Sequence, residues 1–211
     1  TILSAPKEAP AINLSKRKLG TSLETNISLR PITLRNNRER AIFKLQEGVV
    51  RGFREYFMQK GFTEISTPKI VASGAEGGAN IFKLDYFGQK AYLAQSPQFY
   101  KQMLVGVFEK VFEIGHVFRA EKHNTTRHLN EYVGVDIEMG FIDSFVDLMD
   151  VETGAIKYML ELLKKEYARE LAILNVPLPV VDKIPSVRFK DAKEMIAQEY
   201  NRKIKDPYDL E

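Results

Sequence analysis

A polar loop between two apolar segments carries the residue types best suited to nucleotide chemistry. From Val117 to Tyr132 the sequence holds two arginines, two histidines and two threonines. Arginine suits phosphate because its planar guanidinium makes bidentate charged contacts, and an aromatic ring such as that of Tyr132 can stack on a base. The loop is therefore compatible with a nucleotide site, and a solvated hairpin loop explains its composition equally well.

A long amphipathic helix is predicted upstream of this loop. Apolar residues recur there at three- and four-residue steps, which is the period of an α-helix. They are Ile42, Leu45, Val49, Phe53 and Phe57. The pattern predicts a helix over residues 37–60 that stops before Gly61 and buries its apolar side in a core or a dimer contact. Residues 62–68 then alternate as a strand that Pro68 ends.

Strands and one helix are predicted in the middle of the chain. Ser96-Pro97 has the composition of a helix start, with serine as the N-cap and proline in the first turn, and that helix should run to about Phe108. The polar loop joins the last two of the four strands predicted after residue 80. The predicted strands cover residues 81–87, 91–94, 110–118 and 131–141.

The two ends of the chain differ in character. Residues 1–36 are polar and are predicted as an extended arm, with one or two short edge strands as the alternative. Ser144 should cap a long amphipathic helix over residues 144–173, and a proline-bearing linker and a short helix over 190–201 follow. Short turns between strands favour an α+β fold, an antiparallel sheet flanked by helices, over a parallel sheet that needs crossover connections.

Composition excludes several classes of protein. The 211 residues are 44% hydrophobic and 28% charged, a balance typical of globular proteins and unlike general disorder. The absence of cysteine excludes disulfides, thiolate zinc sites and a cysteine nucleophile. The formal net charge of +3 permits an RNA partner without pointing to one. We expect a cytoplasmic protein with no membrane span.

Four segments resemble, in the right order, those of class II aminoacyl-tRNA synthetases, in particular the aspartyl, asparaginyl and lysyl subgroup. The first resembles motif 1, which in this family ends in a fixed proline, here Pro68, and builds the dimer interface. The likeness continues without a break from about residue 30 to 145. The segments are motif 1 at Gly61-Phe62-Thr63-Glu64-Ile65-Ser66-Thr67-Pro68-Lys69-Ile70, the mobile substrate loop at Glu76-Gly77-Gly78-Ala79, the aspartyl amino-acid segment at Ser96-Pro97-Gln98-Phe99-Tyr100-Lys101-Gln102, and motif 2 at Phe118-Arg119-Ala120-Glu121, Arg127-His128-Leu129, Glu131 and Asp136-Ile137-Glu138-Met139.

The resemblance implies that the polar loop binds ATP. Arg119 would grip the α-phosphate and the substrate carboxylate, and it is the residue assigned to catalysis. Glu121 would contact the adenine side, Arg127 and His128 would hold the outer phosphates, and Tyr132 would stack on adenine. The implied ATP-binding set is Arg119, Glu121, Arg127, His128, Leu129 and Tyr132.

The resemblance also implies an aspartate site. Gln98 and Asp136 would orient the amino acid near its ammonium group, and Glu76 would close over it. Lys101 would pair with the side-chain carboxylate, which favours aspartate because asparagine would leave the ammonium unpaired. Without the resemblance, Lys101 could be a surface lysine and Asp136 part of the polar face of a strand. The implied aspartate-binding set is Glu76, Gln98, Lys101, Arg119 and Asp136.

The implied activity is an aspartate–tRNA ligase, which forms aspartyl-adenylate from aspartate and ATP and transfers the aspartyl group to tRNA. ATP is a substrate, Mg²⁺ balances its charge, and tRNA and a second copy of the chain are partners. Such activation needs no protein nucleophile, since positioning and cationic stabilisation do most of the work. The alternatives are an asparaginyl enzyme and a non-catalytic synthetase-like module for binding or dimerisation.

Several family features do not occur between Thr1 and Glu211. They are the arginine-bearing motif 3, the acidic magnesium ligands before it and the N-terminal anticodon-binding barrel. We therefore expect no metal ligand in this chain. Residues 1–36 would be a hinge arm, and residues 37–211 would be part of the catalytic domain of a longer synthetase, inactive alone.

Overall fold

The computed structural model describes residues 7–74, 81–122, 125, 128–201 and 204. It divides into two compact units, residues 1–179 and residues 180–211. The first unit contains six helices and six strands among its described residues, and the second contains one helix. In chain order the elements are α1 (Leu23–Ser28), α2 (Arg30–Thr33), α3 (Asn37–Gln59), β1 (Thr63–Glu64), β2 (Ile70–Val71), β3 (Lys83–Tyr86), β4 (Gln89–Leu93), α4 (Gln98–Phe108), β5 (Lys110–Phe118), β6 (Glu131–Met139), α5 (Phe145–Glu166), α6 (Ala168–Leu174) and α7 (Phe189–Glu199).

Two three-stranded sheets organise the first unit. One has the order β1-β5-β6 and the other β2-β4-β3. The β5–β6 pair is antiparallel over nine residues, from Lys110 opposite Met139 to Phe118 opposite Glu131. The predicted α+β fold is confirmed, with two differences: the β3–β4 hairpin lies with β2 in a sheet of its own, and the short strand β1 runs parallel to β5.

The core lies between the first sheet and helices α3 and α5. Phe112 on β5 is fully buried, and its ring centroid lies 5.2 Å from that of Phe57 on α3. The two helices approach so closely that a Cβ atom at Gly52 would lie 2.8 Å from the Met159 Cα. Hydrophobic residues packed around this cluster include Tyr56, Phe57, Phe62, Phe112, Ala155, Phe53, Ile114, Ile137, Met139, Val151 and Tyr158.

Local signals in the sequence account for the ends of several elements. The Asn36 side chain caps α3 by accepting from Arg38 N and Glu39 N, and Gly61 follows the helix with a φ of 78°. Phe87 and Gly88 both have positive φ, as a tight β3–β4 hairpin requires. Ser144 caps α5 in a reciprocal capping box with Asp147. The predicted end of α3 before Gly61 and the predicted Ser144 cap are confirmed.

Other elements differ from the prediction. Residues 23–33 form two short helices, where an extended arm or edge strand was expected, because Ser22 caps the first and Pro31 lies in the first turn of the second. Helix α4 begins at Gln98, one residue late, with Pro97 at its N-cap position. The strand expected over residues 62–68 is reduced to β1, since Thr67 turns to contact β5.

The long C-terminal helix is interrupted at Tyr167. Helix α5 ends at Glu166 and α6 begins at Ala168. The Tyr167 ring is buried at Gly48 of α3, where an added Cβ atom would lie 2.8 Å from Tyr167 Cε2. The helix therefore breaks at Tyr167, where the ring is buried against α3.

The second unit is described by itself. Its helix α7 begins after Arg188, whose Nε lies 2.8 Å from Asp191 Oδ2. No helix within the described residues of either unit is long and apolar enough to cross a membrane.

Candidate active site

The β5–β6 pair has one apolar and one polar face. Phe112 and Ile114 face the core, so the residues between and after them face the other way. The register pairs Glu113 with Asp136, Gly115 with Gly134 and Val117 with Tyr132, which places all six on the polar face. The two opposed glycines carry no side chains, and the carboxylates lie close over them: a Cβ atom at Gly115 would lie 3.2 Å from Glu113 Oε1, and one at Gly134 would lie 3.3 Å from Asp136 Oδ2.

Helix α4 brings a lysine to this polar face. Lys101 Nζ donates to Asp136 Oδ1 at 3.1 Å and lies 3.7 Å from Glu138 Oε2. The Lys101 side chain is only 13% exposed, which excludes the surface-lysine interpretation. Gln98 begins α4 and lies one turn before Lys101, on the same side of the helix. The structure thus brings together two predicted aspartate-site residues, Lys101 and Asp136, and places Gln98 one turn before Lys101 on α4.

A cavity of about 440 Å³ lies beyond the end of the β5–β6 ladder. Arg119 N donates to Asn130 O at 3.0 Å, which extends the ladder by one residue past Phe118. The lining of this cavity includes five of the six residues predicted to bind ATP. They are Arg119, Glu121, His128, Leu129 and Tyr132.

The cavity offers groups of complementary chemistry. Arg119 supplies a cation whose Nε is buried, Glu121 supplies a carboxylate and Tyr132 an aromatic face. His128 Nδ1 lies 2.7 Å from Thr125 Oγ1, which fixes the orientation of the imidazole ring. Such a set can hold a phosphate at one end and a flat heterocycle at the other.

Two predicted site residues cannot be placed. Glu76, assigned to the substrate loop, and Arg127, assigned to the outer phosphates, both lie outside the described residues. Their roles stay predictions from the resemblance. Pro68, assigned to the dimer interface, is exposed.

One buried carboxylate beside the site was not identified from the sequence. Glu113 on β5 is 6% exposed and accepts from Thr67 N at 3.2 Å, Thr67 Oγ1 at 2.7 Å and Lys69 Nζ at 2.7 Å. These bonds hold the segment around Pro68 against the strand that leads to Arg119. The position of Glu113 between two apolar residues signals that it faces the polar side, but its partners are more than 40 residues away and follow no spacing rule.

Comparison with known proteins places the chain in a family. The model of tRNA synthetases class II (D, K and N) matches residues 22–209. Aspartate–tRNA(Asp/Asn) ligase from Deinococcus radiodurans is 45% identical over 204 residues, which cover 96% of this chain and 47% of that protein. The ligase of the same name from Thermus thermophilus is 43% identical over 199 residues, covering 94% and 47%. The chain spans about half the length of these curated relatives.

Solved structures share the fold. Asparaginyl-tRNA synthetase from Pyrococcus horikoshii, complexed with asparaginyl-adenylate, matches 90% of this chain and 44% of its own, with a TM-score of 0.83 and 30% identity. Aspartyl tRNA synthetase from Entamoeba histolytica matches 91% of this chain and 36% of its own, with a TM-score of 0.74 and 33% identity. Together with the match over residues 22–209, these likenesses show that the chain belongs to the class II tRNA synthetases of the D, K and N group.

Proposed function

We propose that this chain forms part of the active site of an aspartate–tRNA ligase, which activates aspartate with ATP and passes the aspartyl group to tRNA. The observation that carries the proposal is the position of Lys101, held by Asp136 and Glu138 on the polar face of the sheet. The names of the relatives from Deinococcus radiodurans and Thermus thermophilus support it.

Activation joins two anions, so the protein must supply positive charge and alignment. An α-carboxylate oxygen of aspartate attacks the α-phosphorus of ATP, and the bond to pyrophosphate breaks with its electron pair. Arg119 offsets the charge that accumulates around the α-phosphorus, and Tyr132 holds the adenine. No residue of the chain forms a covalent bond, since alignment and electrostatic stabilisation account for the acceleration.

ATP is expected to arrive with Mg²⁺, but the described residues offer no set of ligands for that ion. No group of three or more histidine, aspartate or glutamate side chains lies close enough among them to hold a metal. We therefore assign no step to the ion in this chain.

The lysine favours aspartate over asparagine as the amino acid. Its ammonium, which donates to Asp136, can donate a further hydrogen bond to the side-chain carboxylate of the substrate, and a charged acceptor makes a stronger bond than the neutral oxygen of an amide. The asparaginyl enzyme remains the second candidate because the Pyrococcus horikoshii structure has a TM-score of 0.83 to this chain.

We further infer a homodimer acting in the cytoplasm. Pro68 and Ile70 of motif 1 are both exposed, as residues that meet a second copy must be in a single chain. The division into a hinge at residues 1–36 and a partial catalytic domain at 37–211 belongs to the same proposal.

ATP–pyrophosphate exchange tests the function in a protein extended to the length of its relatives. We expect exchange that depends on aspartate, and its loss in the Arg119→Ala variant while the circular dichroism spectrum stays unchanged. Exchange with asparagine and none with aspartate would overturn the proposed substrate. Near-normal exchange in a folded Arg119→Ala variant would remove Arg119 from the mechanism.

A further inference from the structure

A second cavity, of about 530 Å³, lies at the start of helix α3, away from every predicted ATP and aspartate residue. Residues 14–17, residues 36–38 and helix α6 line it. Four of the lining residues are cationic and none is acidic. The four are Lys16, Arg17, Arg38 and Arg169.

The positive charge of this basic pocket is not neutralised by neighbouring carboxylates. Lys16, Arg17 and Arg169 make no ion pair with any described residue. Two of the three other arginines on α3 are paired: Arg51 Nε lies 2.6 Å from Glu55 Oε1, and Arg54 Nε lies 3.0 Å from Glu64 Oε1. Uncompensated cations around one cavity repel each other, so their grouping favours an anionic ligand.

The pocket is held together by a buried asparagine. Asn36, 2% exposed, donates from Nδ2 to Leu14 O at 2.9 Å and to Lys16 O at 2.8 Å. Its Oδ1 accepts from Arg38 N at 2.9 Å, so one side chain joins the N-terminal arm to the first turn of α3. Arg38 Nη1 also donates to Leu174 O at 3.4 Å, at the end of α6. The arm and both helices therefore keep the cations around one space.

We propose that this basic pocket binds the phosphate backbone of an RNA. Guanidinium groups suit phosphate oxygens because their planar fork donates two parallel hydrogen bonds. Four cations around about 530 Å³ exceed the needs of a single phosphate and fit consecutive phosphates of one strand. The positive end of the α3 dipole at Asn37 adds to the same attraction.

The identity of that RNA as tRNA rests on the proposed ligase function. The pocket would then provide a tRNA contact outside the ATP and aspartate sites, on the arm that precedes α3. Contacts to phosphates fix the register of a nucleic acid without reading its bases. The pocket is therefore expected to contribute affinity and positioning, and to leave the choice of tRNA to other surfaces.

Fluorescence anisotropy with a labelled tRNA transcript tests this, in the absence of ATP and amino acid. The pocket variant is Lys16→Gln/Arg17→Gln/Arg169→Gln, and its matched control is Lys90→Gln/Lys157→Gln/Lys164→Gln, which removes the same formal charge from exposed residues outside the pocket. All six side chains lack ion pairs with described residues, so neither variant breaks an internal salt bridge. Thermal unfolding should be the same for both variants.

We expect the pocket variant to bind tRNA at least about tenfold more weakly at 0.1 M salt, and the magnitude of its salt slope to fall by about 2, since each lost phosphate contact removes about 0.7–0.9. The control should change affinity less than about threefold, and the charge-retaining variant Lys16→Arg/Arg17→Lys/Arg169→Lys should keep most of it. Equal loss in the pocket and control variants would overturn the proposal. Unchanged tRNA binding by the pocket variant would also overturn it. So would micromolar binding of inorganic tripolyphosphate that is lost in the pocket variant while tRNA binding by that variant stays unchanged.

Failure of the ligase proposal can be told apart from failure of the RNA site. ATP–pyrophosphate exchange requires no tRNA, so the pocket variant in the extended protein should exchange at the wild-type rate. Anisotropy is measured without ATP and amino acid, and its result therefore stands whether or not the wild-type protein catalyses exchange.

Discussion

Replacing Lys101 with glutamine removes the cation held by Asp136 and Glu138. At the observed 3.1 Å, the Lys101–Asp136 pair is worth about 5 kcal/mol of Coulomb energy at an effective dielectric constant of about 20, before desolvation offsets much of it. Asp136 and Glu138 are 22% and 28% exposed, so water can partly solvate them once the lysine is gone. We therefore expect Lys101→Gln to lower the free energy of unfolding by about 1–3 kcal/mol and to leave the fold intact.

The effect on activation should be larger and specific to aspartate. Removing one partner of a desolvated charge pair costs about 2–5 kcal/mol, which corresponds to a loss of about 30- to 5,000-fold in kcat/KM for aspartate-dependent ATP–pyrophosphate exchange. The amide of the introduced glutamine can pair with an amide substrate, so any exchange with asparagine should fall less. Lys90→Gln, which removes an exposed lysine from β4, is the control for net charge and should stay within about threefold of wild type.

The assay is steady-state exchange in the extended protein, with aspartate and asparagine measured in parallel and folding checked by urea unfolding. A folded Lys101→Gln variant with aspartate kcat/KM within about threefold of wild type would refute the substrate role of this lysine. An equal loss for both amino acids would assign Lys101 to general organisation of the site, through Asp136, and remove it from specificity.

Three further predictions concern packing, the buried carboxylate and pH. Gly52→Ala should lower the free energy of unfolding by about 1–3 kcal/mol in urea melts, because the added Cβ atom would overlap α5. Gly106→Ala in α4 has open space around the added Cβ atom, so this control should raise the free energy of unfolding by about 0.5–1 kcal/mol. Glu113→Gln should cost about 2 kcal/mol or more in the same melts by leaving Lys69 without its carboxylate, and adding Lys69→Met should recover part of that loss. Burial raises the pKa of Tyr56 above its ordinary 10.0, so above about pH 10 the folded state keeps a proton that the unfolded state loses. The free energy of unfolding should therefore fall as the pH rises above about 10. Urea melts on both sides of that pH should show a smaller fall for the Tyr56→Phe variant than for the wild type.

Local sequence signals predict the fold well where one residue type decides the local geometry. The period of α3, the glycine at its end and the serine cap of α5 act within a few residues, and the structure agrees with each. The helices over residues 23–33 escaped prediction because they are too short for a period to emerge. The break at Tyr167 escaped because it depends on the space at Gly48, more than a hundred residues earlier.

The residues of the candidate site also differ in whether nearby or distant parts of the sequence determine their positions. The cavity at Arg119 lies at a single hairpin end, where contiguous residues made a nucleotide site possible and the resemblance assigned the residues that line it. Lys101 and Asp136 were assigned to one site only by the resemblance to a known family, and their direct contact, between a helix and a strand 35 residues later, was not predicted. The Lys69–Glu113 contact had neither source, because sheet register and a turn near Pro68 together create it.

The alternation along β5 and β6 makes the core and the site depend on one register. Phe112 packs against α3 because it points away from the face that carries Glu113, and Ile137 likewise alternates with Asp136. A slip of one residue would turn Phe112 toward the site and point the Glu113 carboxylate at α3, away from its partners Thr67 and Lys69, which would destabilise the fold. A variant that keeps the cooperative unfolding of this core must therefore keep Asp136 and Glu138 on the site face. Loss of exchange in a folded Lys101→Gln variant then reports the missing cation and excludes a displaced strand.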